Sequence, residues 1–430
     1  MQKRFLAVVI TVLSVLVASA QTNDKQDAIY GKKMVKKLAA KRMNGRGYYK
    51  KADAKAAKYI AQQMQNWYVA PFSGNTYKQS YQFPVNYFPD KMKVSIEGKN
   101  LQPGVDFLIG ATSNSAKGKF NIVEGKRRDL LDTADMFSLV RKAKGNFLYF
   151  NNEKDSTESK EMTDIINQNM EYIQYSPDVV VKGIILYSSQ KLTWTVLPYQ
   201  GNKTIIELHK KIEAPTTIQV DVTAKFDSAY TTQNLAGYIR GRQKPDSFIV
   251  VSAHYDHLGR MGKRTLFPGG NDNASGTGFV LSLMRHYALH PPKYTMVFLF
   301  FSGEEIGLKG SEYFTQNPLF DLKKIKFLWN FDMAGTGKTG IQVVNSTIFT
   351  QQFAILDSIN KATHLLTDIK VRGSAANSDH YWFYKKGVPC FFSYTLGGVN
   401  YHDINDTYKS LPFDAWGNYQ LLVERFFDAL

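Results

Sequence analysis

Two histidines and five acidic residues lie just after apolar runs or in Gly-rich turns of this sequence. They are His254 and Asp256 in VVSAHYDHLG, Asp272 in GGNDNASGTG, Glu304 and Glu305 in FLFFSGEEIG, Asp332 in FLWNFDMAG, and His402 in GGVNYHDINDT. Zinc takes imidazole nitrogen and carboxylate oxygen as ligands, and a catalytic zinc site keeps one position open for water. Two metals about 3.5–4 Å apart can share a carboxylate and a water. Five ligands beside one free carboxylate therefore fit a two-metal hydrolytic centre.

Each of these residues also has an ordinary structural explanation when it is taken alone. A single His after a strand is commonly a hydrogen-bonded structural residue, and an Asp in an Asn-Asp-Asn turn often serves the turn itself. Adjacent glutamates are usually solvated, but Glu304 and Glu305 follow an apolar run, where two charges need a purpose. The combination favours a metal site. The other histidines, including His257 and His380 nearby in the sequence, receive no role.

The elements that must position these residues alternate strand and helix from about residue 230. The apolar runs are Phe248 to Ala253, Met296 to Phe301, Phe327 to Phe331 and Val388 to Tyr394. Gly-rich turns and amphipathic stretches separate the runs, which is typical of an α/β sheet with buried parallel strands. Ligands of such sheets bind at the carboxyl ends of the strands.

Upstream of residue 230 the pattern is different. Residues 25 to about 70 predict two helices separated by the turn at 43–47, and short β-like runs with Gly-, Asn- and Lys-rich turns occupy 94–226. We therefore expect a main domain formed by residues 21–93 and 227–430, which a β-rich insertion at 94–226 interrupts.

The first twenty residues have the pattern of an export signal. Lys3 and Arg4 precede the run Phe5 to Val17, and Ala18-Ser19-Ala20 offers a cleavage site. A membrane anchor is the alternative, but the run is shorter than the roughly 20 residues that span a bilayer. Since no later segment is apolar enough to cross a membrane, we predict an exported protein, periplasmic or secreted, without a membrane span.

The chain carries a formal charge of +17, and much of the excess lies in one segment. Lys25 to Lys58 contains twelve Lys or Arg residues against Asp27 and Asp53. A nucleic-acid-binding arm is conceivable, but helical periodicity and export favour a solvated helical face, with weak attraction to anionic envelope surfaces as a second possibility. We predict no nucleic-acid partner. The only cysteine, Cys390, excludes an intrachain disulfide.

The spaced segments resemble the zinc exopeptidase family that includes bacterial leucyl-type aminopeptidases, glutamate carboxypeptidase and, more distantly, glutaminyl cyclases. The similarity extends over most of residues 230–430, including NSDHYWFYKKGVPC, and over NGRGYYKKADAKAAKYIAQQM near the N-terminus. It implies an α/β fold whose mixed, mainly parallel sheet has helices on both faces. The insertion resembles the protease-associated domains of some relatives.

The resemblance also implies a role for each candidate residue and a cofactor of two Zn²⁺ ions. His254 and Asp332 would be terminal ligands of one ion, Glu305 and His402 of the other, and Asp272 would bridge; Glu304 corresponds to the general base, Asp256 to the acid that orients a ligand histidine, and Tyr401 to the hydroxyl that stabilises the oxyanion. Two positions depart from the family: Asn377 replaces an Arg that helps hold substrate in some members, and Asp403 stands where Thr or Ser is common. Both departures bear on substrate preference and not on metal binding.

The resulting hypothesis is an exported dinuclear zinc aminopeptidase that hydrolyses the N-terminal bond of peptides with a water shared by the two metals and a Glu base. A zinc carboxypeptidase and a glutaminyl cyclase of the same family are the alternatives. The cyclases use one zinc and lack the first ligand histidine, so the presence of His254 argues against the cyclase hypothesis. A carboxypeptidase needs basic residues that clamp a terminal carboxylate, which the sequence does not locate.

Overall fold

The computed structural model describes residues 25–398 and 400–430, so the predicted export signal at 1–20 lies outside the described residues. The helices are α1 (25–38), α2 (Ala52–Asn66), α3 (Thr133–Lys142), α4 (Lys160–Tyr175), α5 (Gly276–Leu289), α6 (Lys309–Gln316), α7 (Thr350–Thr363), α8 (His380–Lys385) and α9 (Trp416–Ala429). Helices α1 and α2 are the two predicted from the N-terminal pattern. No helix in the described ranges is both long and apolar enough to cross a membrane.

The strands belong to two large sheets and one small hairpin. They are β1 (Ala70–Pro71), β2 (Lys78–Tyr87), β3 (Met92–Ile96), β4 (Lys99–Asn100), β5 (Phe107–Ile109), β6 (Ala116–Gly125), β7 (Phe147–Asn151), β8 (Gly183–Tyr187), β9 (Thr204–Leu208), β10 (Thr217–Val222), β11 (Lys225–Ile239), β12 (Lys244–His254), β13 (Gly259–Met261), β14 (Thr265–Phe267), β15 (Tyr294–Phe301), β16 (Ile325–Asp332), β17 (Ile341–Val344), β18 (Ile369–Arg372) and β19 (Cys390–Thr395).

The main sheet has the order β1-β11-β15-β12-β16-β19-β17-β18, and β2 pairs with β11. Strands β15, β12, β16 and β19 run parallel to their neighbours at the centre, whereas β11 and β17 pair antiparallel with β15 and β19 at the two sides. The four apolar runs of the sequence are these four central strands. The predicted fold class, a mixed α/β sheet, is confirmed.

Both faces of this sheet are covered, which explains why its strands are continuous apolar runs. In β12, Ile249 and Val251 pack into one core together with residues of α2, α5 and α9. The alternate residues Phe248 and Val250 pack into a second core with Phe314 of α6 and residues of α8. Because the side chains of a strand alternate between its two faces, β12 contributes residues to two cores. Helices therefore cover both faces of the sheet.

The second sheet contains β3 to β10 and has the order β4-β3-β10-β6-β7-β8-β9-β5. Its strands fall within Met92–Val222, close to the predicted insertion at 94–226. Helices α3 and α4 in this region were not predicted from the sequence. Helix α4 buries only Ile166, Met170 and Ile173, so its apolar stripe is narrow and the β-like runs dominate the pattern.

One apolar cluster joins the two sheets. It combines residues of the insertion, such as Ile109 and Trp194, with Leu258 and Phe267 of the main unit. The Trp194 ring stacks on that of Phe267 with centroids 4.6 Å apart. The insertion is therefore packed against the loops that follow β12, next to the candidate site.

Candidate metal centre

The candidate ligands converge at one edge of the main sheet because three adjacent parallel strands end there. His254 is the last residue of β12, Asp332 is the last residue of β16, and Glu305 follows β15 by four residues. Asp272 lies in the turn Gly270–Ser275 before α5, and His402 lies in the loop after β19. The structure thus brings together all five residues that the sequence nominated as ligands.

These residues form two groups that share Asp272. Nε2 of His254 lies 3.2 Å from Oδ2 of Asp332 and 3.4 Å from Oδ1 of Asp272. Nε2 of His402 lies 3.1 Å from Oδ2 of Asp272 and 3.1 Å from Oε2 of Glu305. The two carboxylate oxygens of Asp272 therefore face different histidines.

The separations fit metal coordination. A tetrahedral zinc with bonds of about 2.0–2.1 Å holds its ligand atoms about 3.3 Å apart, and the four distances above range from 3.1 to 3.4 Å. Oδ1 of Asp332 is buried and has no hydrogen-bond partner among the described residues. Burying such an atom is costly unless a cation or a donor satisfies it. The arrangement therefore offers two groups of ligand atoms that suit a metal ion, and Asp272 belongs to both groups.

Glu304 lies beside the first group. Its carboxylate and ligand atoms of His254 and Asp332 all lie within 4.8 Å of one another. Burial raises the pKa of Glu304 well above its usual range; the charge of His254 opposes the shift, and Glu305 and Asp379 add to it. A raised pKa makes this carboxylate a stronger proton acceptor, as a general base requires.

Asp256 and Tyr401 flank the two histidines. Oδ1 of Asp256 lies 3.7 Å from Nδ1 of His254, too far for a hydrogen bond, while its Oδ2 accepts a 2.6 Å hydrogen bond from the Tyr48 hydroxyl. The Tyr401 ring stacks on His402 with centroids 3.8 Å apart, and 50% of the residue is exposed. Tyr401 thus sits at the rim of the site, open to a ligand.

The two residues that depart from the family lie outside the ligand cluster. Asn377 is exposed, and Asp403 forms a 3.5 Å ion pair with Lys191 of the insertion. The insertion also binds the loop that carries His402, because the Trp194 amide donates to the His402 carbonyl at 3.2 Å. The second sheet therefore helps to hold one of the candidate ligands.

His257 is a site residue that was not predicted from the sequence. Its Nδ1 lies 2.6 Å from Oε1 of Glu305, which is a hydrogen-bond distance and shorter than the roughly 3.3 Å between two ligands of one zinc. His257 thus holds Oε1 of Glu305, whereas Oε2 is the oxygen that lies 3.1 Å from Nε2 of His402. Its position three residues after His254 was the available signal.

Asp406 was also missed. Its Oδ1 accepts from the Asn271 amide at 2.8 Å, and its Oδ2 accepts from the Asp272 amide at 3.0 Å. Burial raises the pKa of Asp406 to about 6, and these two amide bonds oppose the shift. Asp406 therefore fixes the turn that presents Asp272. Its role depends on backbone contacts, which residue spacing does not reveal.

A cavity of about 370 Å³ opens next to Asp272. Met333, Leu396 and Leu411 supply apolar lining, and Tyr401 lies at its wall. A cavity of this size beside the ligand cluster can accept a side chain of a bound substrate.

Comparison with known proteins agrees with the fold. The sequence profile of peptidase family M28 matches residues 234–427, the part of the chain that contains all five candidate ligands. Aminopeptidase YwaD of Bacillus subtilis is 24% identical over 319 residues, which are 70% of this chain and 63% of that protein. A probable zinc metalloprotease of Pyrenophora tritici-repentis is 32% identical over 133 residues, 30% of this chain and 27% of that protein. The chain thus spans less than two thirds of the length of either relative.

Solved structures share the architecture over nearly the whole chain. The zinc aminopeptidase BSAP from Bacillus subtilis superposes with a TM-score of 0.68 at 18% identity and covers 94% of both chains. A peptidase M28 precursor from Shewanella amazonensis SB2B gives a TM-score of 0.71 at 16% identity and covers 95% of both. At such identities the likeness establishes the fold. The resemblance to a zinc exopeptidase family seen in the sequence is confirmed, and residues 234–427 match the profile of peptidase family M28.

Proposed function

We propose that this chain is a dinuclear zinc aminopeptidase that removes residues from the free N-termini of peptides. The observation that carries the proposal is the carboxylate of Asp272, whose two oxygens face His254 and His402 in separate groups of ligand atoms. The names of relatives support it, since one is an aminopeptidase and a structural neighbour is a zinc aminopeptidase.

The proposed ligand sets follow from the distances. His254 and Asp332 would hold one ion, His402 and Glu305 the other, and Asp272 both. Two bound zinc ions would polarise the scissile carbonyl and lower the pKa of the attacking water. His257 would keep Glu305 in the orientation that this ligation needs, as partners behind metal ligands commonly do.

The proton transfers would fall to Glu304. It lies beside His254 and Asp332 and is not one of the proposed ligands, so its carboxylate would be free to take a proton from the attacking water and give it to the leaving amine. Tyr401, exposed at the rim, would donate a hydrogen bond to the oxyanion of the tetrahedral intermediate. Asp256, held by Tyr48, would limit the orientations open to His254.

The end groups of one peptide test the reaction class. We expect release of the first residue from a peptide with a free N-terminus and from its C-amidated form, but not from its N-acetylated form. Acetylation removes the free amine that the site is proposed to hold. Amino-acid release measured by mass spectrometry reports all three.

Other outcomes of the same assay are equally informative. Cleavage of the acetylated peptide together with failure on the amidated one would identify a carboxypeptidase. Cyclisation of an N-terminal Gln without hydrolysis would identify a glutaminyl cyclase. Either result contradicts the aminopeptidase proposal.

We further propose export to the periplasm or the medium, based on the pattern of residues 1–20. N-terminal sequencing of the mature protein should then begin at Gln21. A mature chain that retains Met1 contradicts this proposal.

A further inference from the structure

Arg46 lies completely buried beneath the metal centre, with 0% of its surface exposed. Its guanidinium donates five hydrogen bonds, and every acceptor is a backbone carbonyl. The acceptors are Tyr255 at 2.8 Å, Leu38 at 3.2 Å, Pro268 at 2.8 Å, Gly269 at 2.7 Å and Asp272 at 3.2 Å. A guanidinium has five N–H donors, so this set matches its full donor capacity.

The carbonyls belong to the segments that carry the candidate ligands. Tyr255 follows His254 directly, and its carbonyl accepts from Nε of Arg46. Gly269 and Asp272 lie on the turn that presents the shared carboxylate, and both accept from Nη2. One side chain thus ties the loop after β12 to the turn before α5, and both to the end of α1.

The backbone at Arg46 and Gly45 has a left-handed conformation. Arg46 has a φ of +52°, a left-handed conformation that is costly for a residue with a side chain. Its neighbour Gly45 has a φ of +62°, and a Cβ there would lie 2.2 Å from the Phe267 carbonyl. Strain of this kind persists where the surrounding structure requires it.

The positive charge of Arg46 lies among several acidic residues. Burial lowers the pKa of Arg46 to about 10, and the charges of Asp272, Asp406 and other nearby acids oppose the shift. The group therefore stays cationic at neutral pH and offsets part of the negative charge of the cluster.

We propose that Arg46 is a positioning residue of the metal centre, which fixes the Asp272 turn relative to the His254 loop and so sets the affinity for zinc. The proposal rests on the proposed zinc site. It concerns the carbonyl contacts of Arg46, because Arg46 itself cannot ligate a cation.

Zinc affinity tests the proposal directly. In Arg46→Lys the charge remains but the five-donor fork is lost, so we expect the affinity for zinc to fall roughly 10–100-fold, as for other residues that support metal ligands. Competition with a chromophoric chelator measures the affinity at a temperature where circular dichroism shows the variant folded. Arg46→Met, which leaves no donor for these five carbonyls, should weaken zinc binding further.

Arg127→Lys is the matched control. Arg127 is 8% exposed and donates two 2.9 Å hydrogen bonds to Glu158 inside the insertion, away from the ligands. We expect this variant to lose thermal stability without a change in zinc affinity, which separates a structural effect from a positioning effect.

A folded Arg46→Lys protein with wild-type zinc affinity overturns the proposal, as does an Arg46→Lys protein that fails to fold even with saturating zinc, since Arg46 would then serve the fold alone. A wild-type protein that binds no zinc overturns the proposed function instead.

Discussion

Replacing Glu304 by Gln is expected to lower kcat by roughly 10²–10⁴-fold, which is the usual contribution of a general acid–base group. The substitution keeps the shape of the side chain and removes its proton acceptor. Glu304 is a neighbour of the ligand groups and not one of the five proposed ligands, so the bound zinc should stay at the wild-type level. Steady-state kinetics on an aminoacyl chromogenic substrate and a metal analysis of the same sample measure both quantities.

Glu213→Gln provides a control for the loss of one carboxylate. The Glu213 side chain is 81% exposed and pairs with Lys211 on the insertion, so kcat should not change. Near-normal turnover of Glu304→Gln would remove Glu304 from the mechanism. Loss of zinc along with turnover would make it a ligand instead of a base.

Replacing Asp272 by Ala is expected to abolish activity and to reduce bound zinc from about two ions to less than one. Asp272 is the one candidate ligand that approaches both ligand histidines, at 3.4 Å from His254 and 3.1 Å from His402. Its removal therefore weakens both groups. Zinc bound per chain, measured after dialysis against a fixed free zinc concentration, is the readout.

Asp332→Ala is the matched variant, because within the described part of the chain Asp332 approaches His254 and not the other ligand histidine, His402. It should keep about one zinc ion, held by His402, Glu305 and Asp272. If Asp272→Ala also kept one ion, Asp272 would serve a single metal and the shared-carboxylate arrangement would be wrong.

The central strands and the ligands that follow them were predictable, because burial restricts which residue types can occupy these positions. A strand covered on both faces must be apolar throughout, so β12, β15 and β16 stand out as runs. Charged residues directly after such runs need a compensating partner, and this marks His254, Glu305 and Asp332.

The supporting residues were not predictable in the same way. Arg46 bonds to carbonyls more than 200 residues away, and every residue type carries a carbonyl, so no pattern of residue types points to those contacts. In the sequence, nothing distinguishes His257 from the other histidines that lack a predicted role. In the structure, its Nδ1 lies 2.6 Å from Oε1 of Glu305. Helices α3 and α4 were missed because a few buried residues in a polar stretch make a weak signal.

We expect this site to bind two zinc ions that share Asp272. An anomalous difference map from crystals of the zinc-loaded protein, measured at the zinc absorption edge, tests it most directly. We expect two peaks about 3.5–4 Å apart, one beside His254 and Asp332 and the other beside His402 and Glu305. A single peak in the site under saturating zinc, or peaks that do not touch Asp272, would contradict it.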